Sequence, residues 1–132
     1  MRKISFIVLF ALLSTCCFAQ TVQNGCGDFK TGKFAFRDSA RHIIEVTRKN
    51  NKQREYDKDA RITTKFRIKW ISSCEYELTQ IWSNSKARRK RNKTVNRIVI
   101  TKANGNASYE YSCGCRDRVI EGSVGTMVRL EE

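Results

Sequence analysis

The residues best suited to chemistry in this chain are a dense run of cations. Residues 86–93 carry six Lys or Arg in eight positions, enough to neutralise several phosphate or sulfate groups and to bind a polyanion in a salt-dependent way. The predicted partner is an anionic polymer or a lipid headgroup of the envelope. The residues of this predicted contact are Lys86, Arg88, Arg89, Lys90, Arg91 and Lys93. The alternative is a solvated loop that maintains solubility. Sequence-specific recognition of nucleic acid is not expected, because no recognition helix is apparent.

Cysteines are the second candidate group. Of the six in the chain, Cys16 and Cys17 fall in a predicted leader, which leaves Cys26, Cys74, Cys113 and Cys115. An even number in an oxidising compartment favours disulfides over a metal site. A Cys-Gly-Cys at 113–115 could form a small, labile ring or remain as two thiols, so a thiol-redox role is an alternative function.

No catalytic constellation is visible. His42 is the only histidine, so neither a triad nor a zinc site can be argued, and Glu75 and Glu77 are expected to face basic neighbours. We predict a non-enzymatic binding protein without cofactor or metal. A small secreted inhibitor or protein-interaction module is the alternative.

The first residues have the layout of a signal peptide. Residues 1–3 are a basic start, 4–13 are mostly apolar, and small residues end at Ala19, as in secretory leaders. We therefore predict a signal peptide over 1–19, a single domain over 20–132, and export to the periplasm or the exterior. Lipidation at Cys16 or Cys17 is the alternative. Removing 19 of 132 residues leaves 113, without a membrane-spanning segment and with 24 Lys and Arg against 13 Asp and Glu.

Alternating hydrophobicity predicts strands. Residues 61–71 and 74–82 each place apolar side chains on one face and charged or polar ones on the other, which is typical of half-buried strands. With a turn at 71–73, Lys69 faces Glu75 and Arg67 faces Glu77, and this hairpin needs an odd loop or a bulge.

Further strands are predicted over 29–37, 41–49, 52–57, 94–102 and 107–113. The segments 117–121 and 124–130 complete the chain, either separately or as one strand kinked at Gly122 or Gly125. Asn104-Gly105 is a strong hairpin signal. The sequence thus predicts an all-β antiparallel meander of about eight strands that closes into a small barrel, with a sandwich as the alternative. The aromatic side chains predicted to line a cavity for an apolar ligand are Phe66, Trp70, Tyr76 and Trp82. A filled core is the alternative.

The order of the strands constrains the disulfides. In an up-and-down meander, Cys26 and Cys74 precede odd-numbered strands and meet at one end, whereas Cys113 and Cys115 lie at the other. This favours a Cys26–Cys74 bond. If 52–57 is not a strand, Cys26 would instead pair with Cys113 or Cys115.

Two motifs carry a resemblance to known proteins. The segments 26–34, CGDFKTGKF, and 69–79, KWISSCEYELT, resemble short exported proteins of Bacteroidetes-type bacteria. Some of those carry the label DNA topoisomerase IV, for which this chain is far too short. The resemblance implies export and supports the pairing of Cys26 with Cys74, but it implies no catalytic residue. Gly32-x-Phe34 is also weakly similar to the Gly-x-Trp start of lipocalins.

Overall fold

Eight antiparallel strands form a closed barrel. The computed structural model describes residue 26 and residues 29–115 and 118–131, and the predicted signal peptide lies outside them. The strands pair in chain order, and the first also pairs with the last. They are β1 (Gly32–Arg37), β2 (Ile43–Lys49), β3 (Lys52–Asp57), β4 (Ile62–Ser72), β5 (Glu75–Ser83), β6 (Val95–Asn104), β7 (Ser108–Cys115) and β8 (Arg118–Arg129). The predicted meander and its closure into a barrel are confirmed.

Tight turns join the strands where the sequence carries turn residues. Asn50 and Asn51, between β2 and β3, have φ of 52° and 58°, the left-handed conformation that asparagine tolerates and that matches the twist of a two-residue hairpin. Gly105, between β6 and β7, has a φ of 56°, so the Asn-Gly signal does mark a hairpin. We call the end of the barrel with these turns the floor and the opposite end the rim.

The predicted register of the β4–β5 hairpin is wrong by two residues. Lys69 pairs with Glu77 rather than Glu75, and Arg67 pairs with Thr79. The turn lies at 73–74, and the pairing shifts between Trp70 and Ser72. An irregularity of the expected kind is therefore present, and both strands have the predicted inward faces except at the end of β5, where Trp82 is exposed.

The floor is closed by aromatic rings. Phe29 and Phe34 are fully buried, and the ring of Phe29 lies 4.7 Å from that of Tyr109. The Arg129 guanidinium covers Phe34 at 4.8 Å. Gly32 has a φ of 128°, and a Cβ there would lie 2.5 Å from Nη1 of Arg129. Glycine is favoured at this position because L side chains rarely adopt this backbone conformation, and a Cβ would also displace the Arg129 guanidinium.

The predicted Cys26–Cys74 pair also lies at the floor. The two sulfur atoms are at bonding distance, and the Cα atoms are 5.1 Å apart. Residues 52–57 do form β3, which is the condition on which the strand-order argument depended. The bond ties Cys26, which precedes β1, to the β4–β5 turn. It therefore anchors the chain close to Phe29, whose ring helps to close this end of the barrel.

Candidate ligand-binding cavity

The described strands enclose a cavity above the floor of the barrel. A cavity of about 1060 Å³ extends from Tyr76 near the floor to the loops of the rim. Its apolar lining includes Phe36, Ile44, Phe66, Leu78, Ile98 and Met127. Its polar lining includes Gln53, Glu55, Thr64, Gln80, Asn96 and Tyr111. The interior is therefore amphipathic, and its volume is at the upper end of the range of small-molecule sites.

A buried arginine separates the floor from the cavity. The Arg48 side chain is 1% exposed, and its Nη2 donates to the hydroxyl oxygens of Tyr76 and Tyr109, both at 2.7 Å. Its Nη1 donates to the Phe29 carbonyl at 2.9 Å. Its guanidinium also stacks 4.8 Å from the Tyr76 ring. These partners are neutral, so the positive charge is held by dipoles and aromatic faces rather than by a carboxylate.

Arg48 begins a hydrogen-bonded chain that leads into the cavity. Its Nε donates to Gln53 Oε1 at 2.7 Å, and Gln53 Nε2 donates to Glu55 Oε1, also at 2.7 Å. Burial raises the pKa of Glu55 to about 7, against the opposing effects of the Gln53 hydrogen bond and the Arg48 and Arg88 charges. The cavity wall thus contains a carboxyl group that changes its charge near neutral pH.

Two further polar groups shape the wall. Within the described part of the chain, Asn96 Oδ1 is a buried side-chain acceptor with no hydrogen-bond donor, a state that is costly unless a ligand or water supplies one. The Tyr111 ring lies against Gly125, where a Cβ would come within 2.4 Å of its hydroxyl. Burial raises the pKa of Tyr111 to about 12, so this phenol stays a neutral donor and acceptor at physiological pH.

The predicted basic run lies at the mouth of the cavity. Residues Lys86–Arg89 form a helical turn, α1, and the Ser85 hydroxyl accepts from the Arg88 N–H at its start. Gln80, in the wall, donates from Nε2 to the Arg88 carbonyl at 2.7 Å and to Asn92 Oδ1 at 3.0 Å. Arg88 and Arg91 contribute to the cavity lining. The other predicted contacts, Lys86, Arg89, Lys90 and Lys93, are exposed.

A charged network holds the rim loops together. Asp57 Oδ2 lies 2.9 Å from His42 Nδ1 and 3.7 Å from Arg88 Nη2. The Ala60 N–H donates to Asp57 Oδ1 at 3.0 Å. The pKa of Asp57 is lowered, chiefly by the Ala60 and His42 hydrogen bonds, and that of His42 is raised by Asp57. The network ties the β1–β2 loop and α1 to the end of β3.

The same corner contains a group of atoms that could act as metal ligands. Ligand-type atoms of Asp38, His42 and Asp57 lie within 4.8 Å of one another. Backbone N–H groups of His42 and Ala60 donate to the two carboxylates. Since these hydrogen bonds give both carboxylates a donor within the protein, we interpret the cluster as a structural contact that holds the rim loops together.

The four aromatic residues predicted to line a cavity have separate locations. Phe66 and Tyr76 do line it. Trp70 packs on Tyr76 at 4.7 Å, next to the floor. The prediction for Trp82 is wrong: it is 41% exposed on the outer surface. The pairing shifts between Lys65 and Phe66, so that this residue falls on the opposite face from the one that simple alternation gives.

Of the remaining predicted sites, Cys113 contributes to the cavity lining, whereas the side chain of Cys115 lies outside the described residues. The proposed pairing of these two cysteines stays a prediction. Sequence reasoning missed the buried Arg48, the polar pair of Gln53 and Glu55, and Asn96. The signal that could have found the pair is the alternation of Gln53, Glu55 and Asp57 along a segment recognised only as a polar strand.

Comparison of the chain with protein-family models, with curated proteins and with solved structures finds no match in any of the three. Among the described residues, no helix is long and apolar enough to cross a bilayer.

Proposed function

We propose that this protein is an exported, non-enzymatic binding protein that holds a small amphipathic molecule inside its barrel. The observation that carries the proposal is the cavity of about 1060 Å³ with both apolar and polar walls. A cavity of this size is larger than a packed core tolerates without cost. Export remains an expectation, supported by the Cys26–Cys74 pair, since such bonds persist mainly in oxidising compartments.

The polarity of the walls favours one class of ligand. Phe66, Leu78 and Ile98 would cover an apolar body. At the side of the cavity, Asn96 Oδ1 and the Glu55 carboxyl group offer hydrogen-bond acceptors, which favour a ligand that carries an N–H or O–H group there. At the mouth, Arg88 and Arg91 favour an anionic end. We therefore propose an apolar molecule with a donor group inside and an acidic group at the rim.

Anilinonaphthalene sulfonate is a suitable probe, because it combines apolar rings, one N–H and a sulfonate. Ile98→Trp would narrow the cavity, since Ile98 is buried and lines it. Val99→Trp is the matched control, since this neighbour on β6 is 37% exposed on the outer surface. We expect the inward tryptophan to reduce probe affinity at least tenfold and the outward one to leave it within twofold, measured by fluorescence titration.

Circular dichroism and urea unfolding establish that both variants are folded before they are compared. If Ile98→Trp destabilises the barrel, Leu78→Trp with Thr79→Trp as its control repeats the design on β5, where Leu78 is buried and lines the cavity. Equal probe binding by the inward and outward variants would refute the proposal. Binding that persists in urea-unfolded protein would refute it as well.

A further inference from the structure

Five cations cluster on the outer surface of β2, β3 and β4. They are the exposed side chains of Lys49, Lys52, Arg54, Lys65 and Arg67, and we call them the basic face. The register sets Lys52 opposite both Lys49 and Arg67, and Arg54 opposite Lys65. The three ion pairs of the described residues involve none of these five. Each of the five therefore faces at least one like charge across a strand pair.

This arrangement is unfavourable for the isolated barrel. Like charges directly opposite each other on neighbouring strands destabilise a sheet, and a Thr or Glu at any of these positions would remove the repulsion in which that residue takes part. The neighbouring strand pair has such a solution, since Lys69 on β4 lies opposite Glu77 on β5. An external anion would offset the repulsion on the basic face, as positive patches do when they attract negatively charged partners.

The arrangement of the cations on the basic face favours a flat anionic partner over a linear one. Three adjacent strands about 4.8 Å apart, with side chains about 6.7 Å apart along each strand, place the cations in a two-dimensional array. A linear polyanion is better matched by a groove or a single row. The face also continues onto apolar side chains: Lys65 Nζ lies 5.0 Å above the Trp82 ring, and Ile81 and Trp82 are 40% and 41% exposed.

We propose that the basic face docks the protein onto an anionic lipid bilayer, with Trp82 and Ile81 entering the interface. Tryptophan favours the headgroup level of a membrane, and clustered Lys and Arg are attracted by the negative surface potential of anionic lipids. This proposal does not depend on a ligand in the cavity. It concerns a different part of the molecule from the run at 86–93.

The test uses vesicles of phosphatidylcholine with and without phosphatidylglycerol. We expect the protein to co-sediment with the mixed vesicles at low salt and not with phosphatidylcholine alone. At about fivefold in affinity for each charge, the triple variant Lys52→Gln/Lys65→Gln/Arg67→Gln should bind on the order of 100-fold more weakly. The control removes three exposed cations that lie outside both the basic face and the run at 86–93, with Lys58→Gln/Arg61→Gln/Lys102→Gln, and should lose much less.

The contribution of the apolar edge has its own readout. Trp70 is half-buried and Trp82 is exposed, so a blue shift of tryptophan emission on mixed vesicles should disappear in Trp82→Phe. Equal losses in the two triple variants would overturn the proposal, because they would mean attraction by net charge alone. Binding to heparin in solution without binding to vesicles would also overturn it and would identify a linear polyanion as the partner.

Discussion

Arg48 and Lys49 are neighbours on β2, yet they lie in opposite surroundings. The Arg48 guanidinium is enclosed by two tyrosine hydroxyls, a carbonyl and an amide oxygen. The Lys49 ammonium is exposed and lies opposite Lys52. A strand that alternates between faces can thus place one cation inside the barrel and the next outside it.

The difference teaches what each position requires. Inside, a charge is tolerated only if nearly every polar neighbour is oriented toward it, because an unpaired buried charge is very costly. Outside, water solvates the charge, and the repulsion between neighbours is a small cost. We therefore expect that substitution of Arg48 lowers the free energy of unfolding by a large amount. Substitution of an outer cation that faces another cation should raise it slightly.

The largest effect is predicted for Arg48→Met, which keeps much of the side-chain volume. It removes the donors to Gln53, the Phe29 carbonyl and the tyrosine pair, although Tyr76 and Tyr109 retain their own contact at 3.0 Å. We expect the free energy of unfolding to fall by about 3–5 kcal/mol, measured by urea denaturation at neutral pH.

The matched control is Arg67→Met on the basic face, where the same chemical change should alter stability by less than about 0.5 kcal/mol. A similar loss in both variants would mean that arginine packing, rather than the enclosed network, stabilises the fold. A loss below about 1 kcal/mol in Arg48→Met would contradict the structural role that we assign to this side chain.

A second prediction concerns the carboxyl group at the other end of the inner chain. Burial raises the pKa of Glu55 from 4.5 to about 7, so the folded protein holds a proton that the unfolded chain releases earlier. Its stabilising contribution is complete below pH 4.5 and is lost as the pH rises toward 7. Relative to Glu55→Gln, the wild type should therefore lose roughly 1 to 3 kcal/mol over this interval.

The measurement is the free energy of unfolding of both proteins from pH 4.5 to 7.5. Glu45→Gln, on the exposed face of β2, is the control and should run parallel to the wild type. Parallel curves for Glu55→Gln and the wild type would show that solvent reaches this carboxyl group freely. The affinity for the cavity probe should also change over the same pH interval. Glu55→Gln should abolish this pH dependence of the affinity.

Much of the fold could be predicted, because hydrophobic alternation and turn residues report directly on strands. The β6–β7 hairpin follows from Asn104-Gly105, and the Cys26–Cys74 pair follows from the order of the strands. The errors come from irregular pairing. Register shifts next to Phe66 and Trp70 moved the β4–β5 register and placed Trp82 outside, and an alternating pattern does not show where an extra residue is inserted.

The cavity was less predictable than the barrel, for a different physical reason. On β3, both faces are polar. The alternation separates Gln53 and Glu55 from Lys52 and Arg54, but it does not show which of the two faces points inward. Inward polar residues are recognisable only once the closure of the barrel is known. The run at 86–93 was identified as a basic segment. Gln80 fixes part of it at the mouth by hydrogen bonds to the Arg88 carbonyl and to Asn92, and a pattern of charge or hydrophobicity does not show such contacts.

The smallest predicted effect on the free energy of unfolding concerns the cations on the outer surface of the barrel. Lys52→Thr removes a cation that faces Lys49 and Arg67, and it introduces a residue with good strand propensity. We expect the free energy of unfolding to rise by about 0.2–1 kcal/mol at low salt, with the gain shrinking in 1 M salt, where charges are screened beyond about 3 Å. Lys69→Thr is the control of opposite sign, because Lys69 faces Glu77 and loses an attraction. If both substitutions stabilise the protein equally, the gain comes from threonine itself, and the cations of the basic face impose no cost that a partner would need to offset.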